Sequence, residues 1–344
     1  MSGRVGYVLP LRWTTAADER GLPELTGYLR WLAGHVADVL VVDASPAPLY
    51  ARHAEAWRGL VRHLRPDPDL RYRNGKVNGV TTGLRHAAAE RVVIADDDVR
   101  YDGAGLAAVA AALAGADLVR PQNYFDPLSW HARWDTARSL LNRAAGADYP
   151  GTYGVRRSTF LAMGGYDGDV LFENLELSRT VRAHGGVEAR RRDLYVRRLP
   201  PPVGKFLGQR VRQAYDDLAQ PARMAAFLAV LPALAAGAAA APARAVLAVA
   251  GAAAVGTVAA AELGRRRAGG RAVFPVSASL LAPAWVLERA CCSWLALGRR
   301  LRGGVPYAGN RIVVAAHRTG ELGRNAGRSA TLAAAGCVET RQPV

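Results

Sequence analysis

Three consecutive aspartates, Asp96, Asp97 and Asp98, follow the apolar run at residues 92–95. Like charges at the exit of a buried strand repel one another unless something cationic joins them. A divalent ion with oxygen ligands meets this requirement, and such an ion commonly also binds diphosphate oxygens. Asp96 and Asp98 are both placed to approach it, although a solvated acidic turn is the alternative that the pattern alone leaves open.

A second segment whose residue types could bind a ligand lies just upstream, at residues 73–83, and combines several glycines with Lys76. Glycines and a lysine at a strand-to-helix junction suit a loop whose backbone approaches a phosphate or a nucleotide. An ordinary Asn-Gly turn would also explain the pattern. Lys76 is a stronger candidate for a specific role because nearly all other basic residues of the chain are arginines, and Lys205 is its only other lysine.

The elements that must position these residues alternate between short apolar runs and helical patterns, which is typical of parallel strands joined by crossover helices. The predicted strands are residues 5–9, 39–42, 70–72 and 92–95, and the predicted helices are 22–37, 50–64 and 77–89. Ligands of open α/β sheets bind beyond the carboxyl ends of the strands. Asp43 and the three aspartates both follow such ends, so we expect them to face one crevice.

The composition changes after about residue 223. Residues 224–243 and 245–261 carry no charge and are long enough to cross a bilayer, although a buried helical hairpin is the alternative. Two crossings would return the arginine-rich segment at 265–271 to the side of the N-terminal domain, leaving only Arg244 opposite, as the positive-inside rule prefers. No signal peptide is expected at the N-terminus, so that domain is predicted to be cytoplasmic.

A third apolar stretch, residues 272–297, contains charges and prolines, and an interfacial or re-entrant helix with Trp285 and Trp294 at headgroup depth is expected there. The predicted organisation is a cytoplasmic catalytic domain at 1–220, two transmembrane helices at 221–263, and a basic loop with the interfacial helix at 264–318. A disordered tail is predicted at 319–344.

The net charge of +16 and the pI near 10.5 predict anionic partners, among which nucleic acid, acidic lipid headgroups and sugar nucleotides all qualify. A nucleic-acid binder should show a basic stripe without an acidic cleft, and the sequence contains no nucleic-acid-binding motif. The three cysteines form neither a disulfide framework nor a metal-binding spacing. Charge alone does not choose between a sugar nucleotide and acidic lipid headgroups, but no nucleic-acid partner is expected.

Six ordered segments together resemble the inverting family-two glycosyltransferases of the GT-A fold, over about residues 4–215. The segments are residues 41–43 (Val-Val-Asp), 74–76 (Asn-Gly-Lys), 96–98 (Asp-Asp-Asp), 154–157 with 164–167 (Gly-Val-Arg-Arg and Gly-Gly-Tyr-Asp), 172–179 (Phe-Glu-Asn-Leu-Glu-Leu-Ser-Arg) and 209–213 (Gln-Arg-Val-Arg-Gln). The resemblance implies a GT-A, Rossmann-like domain followed by the C-terminal transmembrane hairpin.

The resemblance also implies roles on the donor side. Asp43 would contact the nucleotide base, and Lys76 would lie near the nucleotide. Asp96 and Asp97 would bind the sugar nucleotide, while Asp98, with Asp96, would hold Mg²⁺ or Mn²⁺ on the diphosphate. That ion would neutralise the charge that develops on the departing nucleoside diphosphate.

On the acceptor side the sequence departs from the family twice. Asn174 stands where the family has its base aspartate, so Glu173 becomes the expected base, with Asp167 and Asp169 as the next candidates. Gln213 replaces the tryptophan of the family's Gln-x-x-Arg-Trp element, which argues against a processive polymer synthase. The expected acceptor-side residues are Trp130, His131, Arg156, Gln209 and Arg212.

The sequence therefore predicts a membrane enzyme of a bacterial cell envelope that moves one sugar from a nucleoside-diphosphate sugar to a lipid-linked or membrane-proximal acceptor, with inversion. Its architecture is similar to that of ceramide glucosyltransferases and polyprenyl-phosphate glycosyltransferases. A processive polysaccharide synthase, a nucleotidyltransferase and a catalytically inactive relative remain as alternatives.

Overall fold

The computed structural model describes residues 4–324, and an eight-stranded mixed sheet forms its centre. The strands are β1 (Gly6–Leu11), β2 (Val39–Asp43), β3 (Arg62–Leu64), β4 (Arg91–Ala95), β5 (Val99–Arg100), β6 (Leu118–Phe125), β7 (Thr152–Arg156) and β8 (Glu188–Arg198). A separate hairpin consists of β9 (Val305–Tyr307) and β10 (Asn310–Ile312).

The strand order is β3-β2-β1-β4-β7-β6-β8-β5. The first four strands of this order are parallel to one another, β7 is antiparallel to both of its neighbours, β6 and β8 are parallel, and β5 is antiparallel to β8. The predicted α/β architecture with a parallel-dominated sheet is confirmed.

Helices cover both faces of this sheet and continue beyond it at the C-terminal end. The helices of the N-terminal part are α1 (Ala16–Glu19), α2 (Leu22–His35), α3 (Ala47–Ala56), α4 (Gly75–His86), α5 (Gly103–Ala112), α6 (Trp130–Ala145), α7 (Arg157–Ala162), α8 (Glu173–Ala183) and α9 (Val203–Tyr215). The remaining helices are α10 (Pro221–Ala240), α11 (Ala243–Arg266), α12 (Val276–Leu280) and α13 (Ala282–Leu301), with 3-10 turns at Asp216–Ala219 and Arg267–Ala272.

The side chains of β1 alternate between two apolar layers. Tyr7 and Leu9 belong to the layer that contains α2, whereas Val8 belongs to the layer that contains α4. Both faces of the strand are thus buried, which explains why the parallel strands read as continuous apolar runs. Helix α4 lies directly on β1, because a Cβ at Gly83 would come within 2.2 Å of the Val8 side chain. This close approach fixes the N-terminus of α4 beside the carboxyl end of the sheet.

One part of the predicted element order is wrong. The helix predicted at 50–64 ends at Ala56, and residues 62–64 form β3, while residues 70–72 form no strand. The helix stops before Gly59, whose φ of +70° is incompatible with its continuation. β3 then forms because it pairs in parallel with β2 (Leu40 opposite Arg62), which is a tertiary contact that the local pattern does not encode.

The two apolar segments predicted to cross a membrane form the helices α10 and α11. Pro221–Ala240 has a mean hydropathy of 1.7 over its most apolar window, and Ala243–Ala272 has 1.9, with 6% of each window buried. Leu247, Val249 and Val255 are each more than 70% exposed. Both helices are long and apolar enough to cross a membrane, and their apolar surface lacks protein cover among the residues described.

Helix α13 packs on the protein rather than lying free. Trp285, expected at headgroup depth, is fully buried, with its ring 5.8 Å from that of Phe227 on α10. The expectation for Trp285 is therefore wrong, because this face of the amphipathic helix packs against α6, α9 and α10. Trp294 is 44% exposed. Residues 319–324 are helical, and residues 325–344 of the predicted tail lie outside the described residues.

Candidate functional site

A polar cavity of about 350 Å³ lies beyond the carboxyl ends of β1 and β4. Its walls come from the N-termini of α4 and α8, from α6 and α9, and from α13. Six of the residues that line it form one charged group: Lys76, Asp96, Asp97, Asp98, Glu173 and Arg198. The three aspartates after β4 line this cavity as expected, but Asp43, which was expected to face the same crevice, does not line it.

Lys76 joins the aspartates to the N-terminus of α8. Its Nζ lies 2.6 Å from Asp96 Oδ1 and 2.8 Å from Glu173 Oε1. The lysine is placed by the start of α4, where the buried side chain of Asn74 accepts a hydrogen bond from the Lys76 backbone N–H at 3.2 Å. Asn74 is itself anchored, because its Nδ2 donates to the carbonyl of Val170 at 3.2 Å. The residue predicted to lie near the nucleotide thus bridges two predicted site carboxylates.

Arg198 is the second cation in this group, and the sequence analysis missed it. It is the last residue of β8, and its Nε lies 3.0 Å from both Asp98 carboxylate oxygens. Its Nη2 lies 3.2 Å from Asp96 Oδ2. The antiparallel pairing of β5 with β8, in which Val99 opposes Arg198, brings it to the aspartates. The only local signal was one arginine among many at residues 190–198, which does not distinguish it.

The pKa values of the three carboxyls diverge because their cation contacts differ. Burial raises the pKa of Asp96, but Lys76 and Arg198 outweigh it, so the value falls below normal. Burial also raises the pKa of Asp98, and Arg198 does not fully offset this because the neighbouring aspartates repel the charge. For Glu173, burial exceeds the attraction of Lys76, and its pKa is raised. Asp96 is the carboxyl held ionised, whereas Glu173 keeps more affinity for a proton.

The position of the Arg198 guanidinium indicates where a divalent cation could bind to Asp96 and Asp98. It bridges Asp96 and Asp98, so both carboxylates already face one positively charged group. The ligand atoms are carboxylate oxygens, which Mg²⁺ and Mn²⁺ prefer. Asp96 and Asp98 therefore fit such an ion in position and chemistry, provided that Arg198 moves aside as it binds.

Asp97 and Asp43 take different positions. Asp97 lines the cavity, and its Oδ2 accepts a hydrogen bond from Trp13 Nε1 at 2.6 Å. Asp43 is fully buried and does not line the cavity. Its Oδ2 lies 2.7 Å from His53 Nδ1 and 3.0 Å from His63 Nε2. Burial alone would raise the pKa of Asp43, but the bonds from the two histidines hold it well below normal.

The Asp43, His53 and His63 cluster also has the composition of a metal site, with one potential ligand atom from each residue within 4.8 Å of the others. The imidazole nitrogens nearest Asp43 contact its carboxylate directly, so an ion bound between these three atoms would have to replace those hydrogen bonds. Beside the cluster, Tyr50 stacks on His63 with ring centroids 4.2 Å apart, and the guanidinium carbon of Arg65 lies 3.7 Å from the centre of the Tyr50 ring.

Of the three predicted base candidates, Glu173 lines the cavity, whereas Asp167 and Asp169 lie next to each other outside it. Glu173 is 7% exposed and lines the cavity, as does Asn174. Asp169 is exposed and accepts a hydrogen bond from the backbone of Arg73 at 2.9 Å. Asp167 accepts one from the Asp169 backbone at 2.7 Å. Neither Asp167 nor Asp169 lines the cavity, so only Glu173 of the three stands beside Lys76 and Asp96.

The predicted acceptor-side residues also divide into two groups. His131, Gln209 and Arg212 line the cavity. Trp130 is 58% exposed and is not part of the lining. Arg156 pairs across the sheet with the first residue of β4, at the end opposite the aspartates, and its Nε is 3.2 Å from Asp117. Arg156 is therefore not among the described residues that line the cavity, and its predicted place on the acceptor side is wrong.

Several further lining residues were not anticipated from the sequence: Arg138, Asp216, Asp217, Arg223 and Arg289. Asp216 has the most unusual titration of these. Burial raises its pKa to about 7, because attraction by Arg212 is too weak to offset burial and repulsion from Asp217. The adjacent Asp216-Asp217 pair after the 209–213 segment was the available signal, but a pair of aspartates at a helix end is common.

Comparison with solved structures identifies the fold. A mannosyltransferase from Pyrobaculum calidifontis, in complex with GDP-Man and Mn²⁺, matches with a TM-score of 0.51 and 21% identity, over 83% of this chain and 86% of that chain. The chain has the GT-A fold. Because the match covers more of the chain than its first 220 residues, the likeness includes part of the C-terminal helical segment.

A second solved structure is less similar to the chain. Glucosyl-3-phosphoglycerate synthase from Mycobacterium tuberculosis, in complex with Mn²⁺, uridine diphosphate and phosphoglyceric acid, matches with a TM-score of 0.40 and 18% identity, over 60% of this chain and 74% of that chain. No protein-family model matches the sequence, and neither does any curated protein.

Proposed function

We propose that this protein is a membrane-bound, inverting glycosyltransferase of family two, which moves one sugar from a nucleoside-diphosphate sugar to a lipid-linked or membrane-proximal acceptor. The observation that carries the proposal is the group around Lys76, in which Asp96 and Asp98 lie on one side and Glu173 on the other, at the carboxyl edge of a GT-A sheet. A donor diphosphate on the first side would have its sugar directed toward the second.

The donor side would use Asp96 and Asp98 to hold Mg²⁺ or Mn²⁺, and Lys76 would contact the nucleotide diphosphate. The bound ion would neutralise negative charge developing on the leaving nucleoside diphosphate. Asp43, with its two histidines and the Tyr50–His63 stack, would lie below the nucleotide base. The structural neighbour from Pyrobaculum calidifontis was solved with a nucleotide sugar and Mn²⁺, which supports this class of donor.

On the acceptor side, Glu173 would accept a proton from the attacking hydroxyl. Its raised pKa suits a general base better than a carboxylate with normal acidity. Lys76, 2.8 Å away, would keep Glu173 ionised before the reaction and tolerate its protonation afterwards, because it retains Asp96 as a partner. In-line attack on the anomeric carbon would break its bond to the nucleoside diphosphate and invert the configuration.

The membrane assignment rests on α10 and α11. Their exposed apolar side chains and their length fit two crossings, with residues 1–220 forming the cytoplasmic catalytic domain and residues 221–263 the transmembrane pair. Helices α12 and α13 would remain on the cytoplasmic side, packed against α6 and α9. The exposed Arg266 and Arg271 would then face anionic lipid headgroups, in agreement with the positive-inside rule, whereas Arg265 is buried against Glu262.

The test is release of nucleoside diphosphate by the detergent-purified full chain, assayed with a panel of sugar nucleotides, Mg²⁺ or Mn²⁺, and a bacterial lipid extract. We expect release from one donor, dependent on the metal and on the lipid extract. Asp98→Asn should abolish it, whereas the exposed Asp193→Asn, paired with Arg191 at 2.7 Å, should not. Absence of release and of binding with every donor would reject the proposal.

A further inference from the structure

Arg289 is a buried guanidinium without adequate partners. It lies on α13, is 2% exposed and lines the polar cavity. Its Nε and Nη1 make no hydrogen bond within residues 4–324, and its nearest ion-pair partner, Asp217 Oδ2, is 3.7 Å from Nη1. Burying a charge is costly unless it is paired and hydrogen-bonded. A bound anion would supply the hydrogen-bond acceptors that Nε and Nη1 lack among the described residues.

Several other positive charges near Arg289 make the burial of its own charge more costly. Burial lowers the pKa of Arg289, and the nearby positive charges of Arg210, Arg223 and Arg138 lower it further, against the attraction of Asp217. Asp217 is already committed, because its Oδ1 lies 3.0 Å from the Nε of Arg223. One carboxylate is thus shared between two arginines that line the same cavity.

The remaining arginines have carboxylates of their own. Arg138 lies 2.8 Å from Asp148 and 3.3 Å from Asp135, and Arg210 lies 2.9 Å from Asp135. Arg210 is also 2.8 Å from Glu288. Of these guanidiniums, Arg289 has the longest ion pair, 3.7 Å to Asp217, and its guanidinium carbon also lies 4.9 Å from the centre of the Trp285 ring. Asp216 is the other carboxyl that interacts with its charge.

A second cavity, an apolar groove of about 390 Å³, adjoins the polar cavity. The groove shares Asn142 and Arg223 with the polar cavity, where Arg223 Nη1 lies 2.5 Å from Asn142 Oδ1. Beyond that shared point its lining is mainly apolar or small: Leu141, Phe227, Ala253, Gly256, Ala260, Trp285. The groove runs between α6, α10, α11 and α13, along the surface of the two apolar helices.

We propose that the arginine end of the polar cavity and the adjoining groove together bind one lipid phosphate. Its phosphate contacts Arg289 and Arg223, and its hydrocarbon chain lies in the groove beside Phe227. The occupant is a lipid rather than free phosphate, because the apolar groove adjoins the arginines: Arg223 lines both cavities, and Trp285 of the groove lies 4.9 Å from the guanidinium carbon of Arg289. A free phosphate would make no use of the groove. This inference rests on the proposed function in one respect: it identifies the acceptor of that function as an anionic lipid that carries a phosphate.

The test is direct binding of dodecyl phosphate, dodecanol and inorganic phosphate to the detergent-purified full chain, measured by native mass spectrometry and by equilibrium titration. We expect dodecyl phosphate to bind at least about tenfold more tightly than dodecanol. Arg289→Gln should weaken dodecyl phosphate binding about tenfold and leave dodecanol binding unchanged. Arg299→Gln, at an exposed position on the same helix, is the matched control and should have no effect.

A second pair of variants tests the groove. Gly256 and Gly251 lie on α11, and a Cβ at either would meet no atom within 4 Å, but only Gly256 lines the groove. Gly256→Leu should weaken dodecyl phosphate binding about tenfold without affecting inorganic phosphate, whereas Gly251→Leu should change neither.

Equal binding of dodecanol and dodecyl phosphate would overturn the anion site. Competition by inorganic phosphate at equal affinity, together with an unchanged Gly256→Leu variant, would show that the site takes free phosphate and would overturn the lipid assignment. Release of nucleoside diphosphate from the donor panel, measured on the same preparations, separates the two ideas. Donor turnover without selective lipid-phosphate binding rejects this inference alone, while selective lipid-phosphate binding without any donor binding rejects the glycosyltransferase.

Discussion

Arg198 Nε lies 3.0 Å from both carboxylate oxygens of Asp98, so the end of β8 supplies a cation to the aspartates that follow β4. The same guanidinium reaches Asp96 at 3.2 Å. Three adjacent aspartates in a largely buried position would repel one another, and Arg198 offsets part of that repulsion before any ligand arrives. The contact keeps the two carboxylates close, and it also competes with a divalent ion for the same oxygens.

Arg198→Gln should therefore raise the affinity of the site for Mn²⁺ by about tenfold, because a fixed positive charge is removed from both ligands. Titration of Mn²⁺ by electron paramagnetic resonance would measure this. Arg197→Gln is the matched control, since Arg197 precedes Arg198 on β8 but pairs with Asp126 at 3.2 Å. Weaker Mn²⁺ binding in Arg198→Gln would mean that the arginine positions the aspartates rather than competing with the ion.

Lys76→Met should destabilise the fold by about 3 kcal/mol near neutral pH, because it leaves two largely buried carboxylates, Asp96 and Glu173, without their shared cation. Without Lys76, the pKa of both carboxyls rises, so the loss should be largest at high pH and shrink as the pH falls and they become protonated. Urea denaturation at pH 8 and pH 5 would measure the free energy of unfolding. Lys205→Met, at an exposed position, should be neutral, and equal losses for both variants would contradict the prediction.

Much of the fold was predictable because its signals are local. The apolar runs that became β1, β2 and β4, and the aspartates that end β2 and follow β4, were visible in the sequence, and parallel-sheet geometry then placed Asp96 and Asp98 at the correct edge. β3 was missed because three residues with no apolar pattern become a strand only through their pairing with β2. The family resemblance, rather than any local pattern, suggested that Asp43 contacts the nucleotide base. Its two histidine partners come from α3 and β3, and no local pattern joins them to it.

The missed site residues share one cause. Arg198 and Arg289 were two arginines among many in a chain whose net charge is +16, so residue type carried no information about them. What distinguishes them is contact across long sequence distances: Arg198 with Asp98, and Arg289 with Asp217. Arg156 shows the opposite error, because it belongs to a recognisable motif but lies at the far end of the sheet from the cavity.

Glu173→Gln should lower turnover by at least about a hundredfold while leaving nucleotide-sugar affinity unchanged, if Glu173 accepts the proton of an acceptor hydroxyl. The glutamine keeps the shape and can still accept a hydrogen bond from Lys76, so donor binding is a fair control within the same protein. Asp169→Asn, outside the cavity, should retain normal turnover. Unchanged turnover in Glu173→Gln would transfer the role to another group, or would mean that the acceptor oxygen is already ionised, as in a phosphate.

Asp216→Asn should stabilise the fold, and more so at higher pH. The folded protein holds the pKa of Asp216 at about 7, whereas an unfolded aspartate titrates near 4, so the folded state binds the proton more tightly. The stability that this protonation contributes is complete below about pH 4 and is lost as the pH rises through about 7. The variant lacks this titration, and its stability advantage over the wild type should therefore grow from pH 4 to pH 7 and then level off.

Urea denaturation of both proteins across that range, with the exposed Asp193→Asn as a control, gives the difference in unfolding free energy at each pH. A difference that stays constant with pH would mean that Asp216 is ionised throughout and paired more strongly with Arg212 than its burial suggests. A difference that grows as expected would establish that a carboxyl with a pKa near neutral pH lies in the wall of the cavity. The charges of both Glu173 and Arg289 contribute to that pKa. Because the variant lacks the negative charge of Asp216 beside the arginine end, Asp216→Asn should bind dodecyl phosphate more tightly than the wild type at the same pH above about 7.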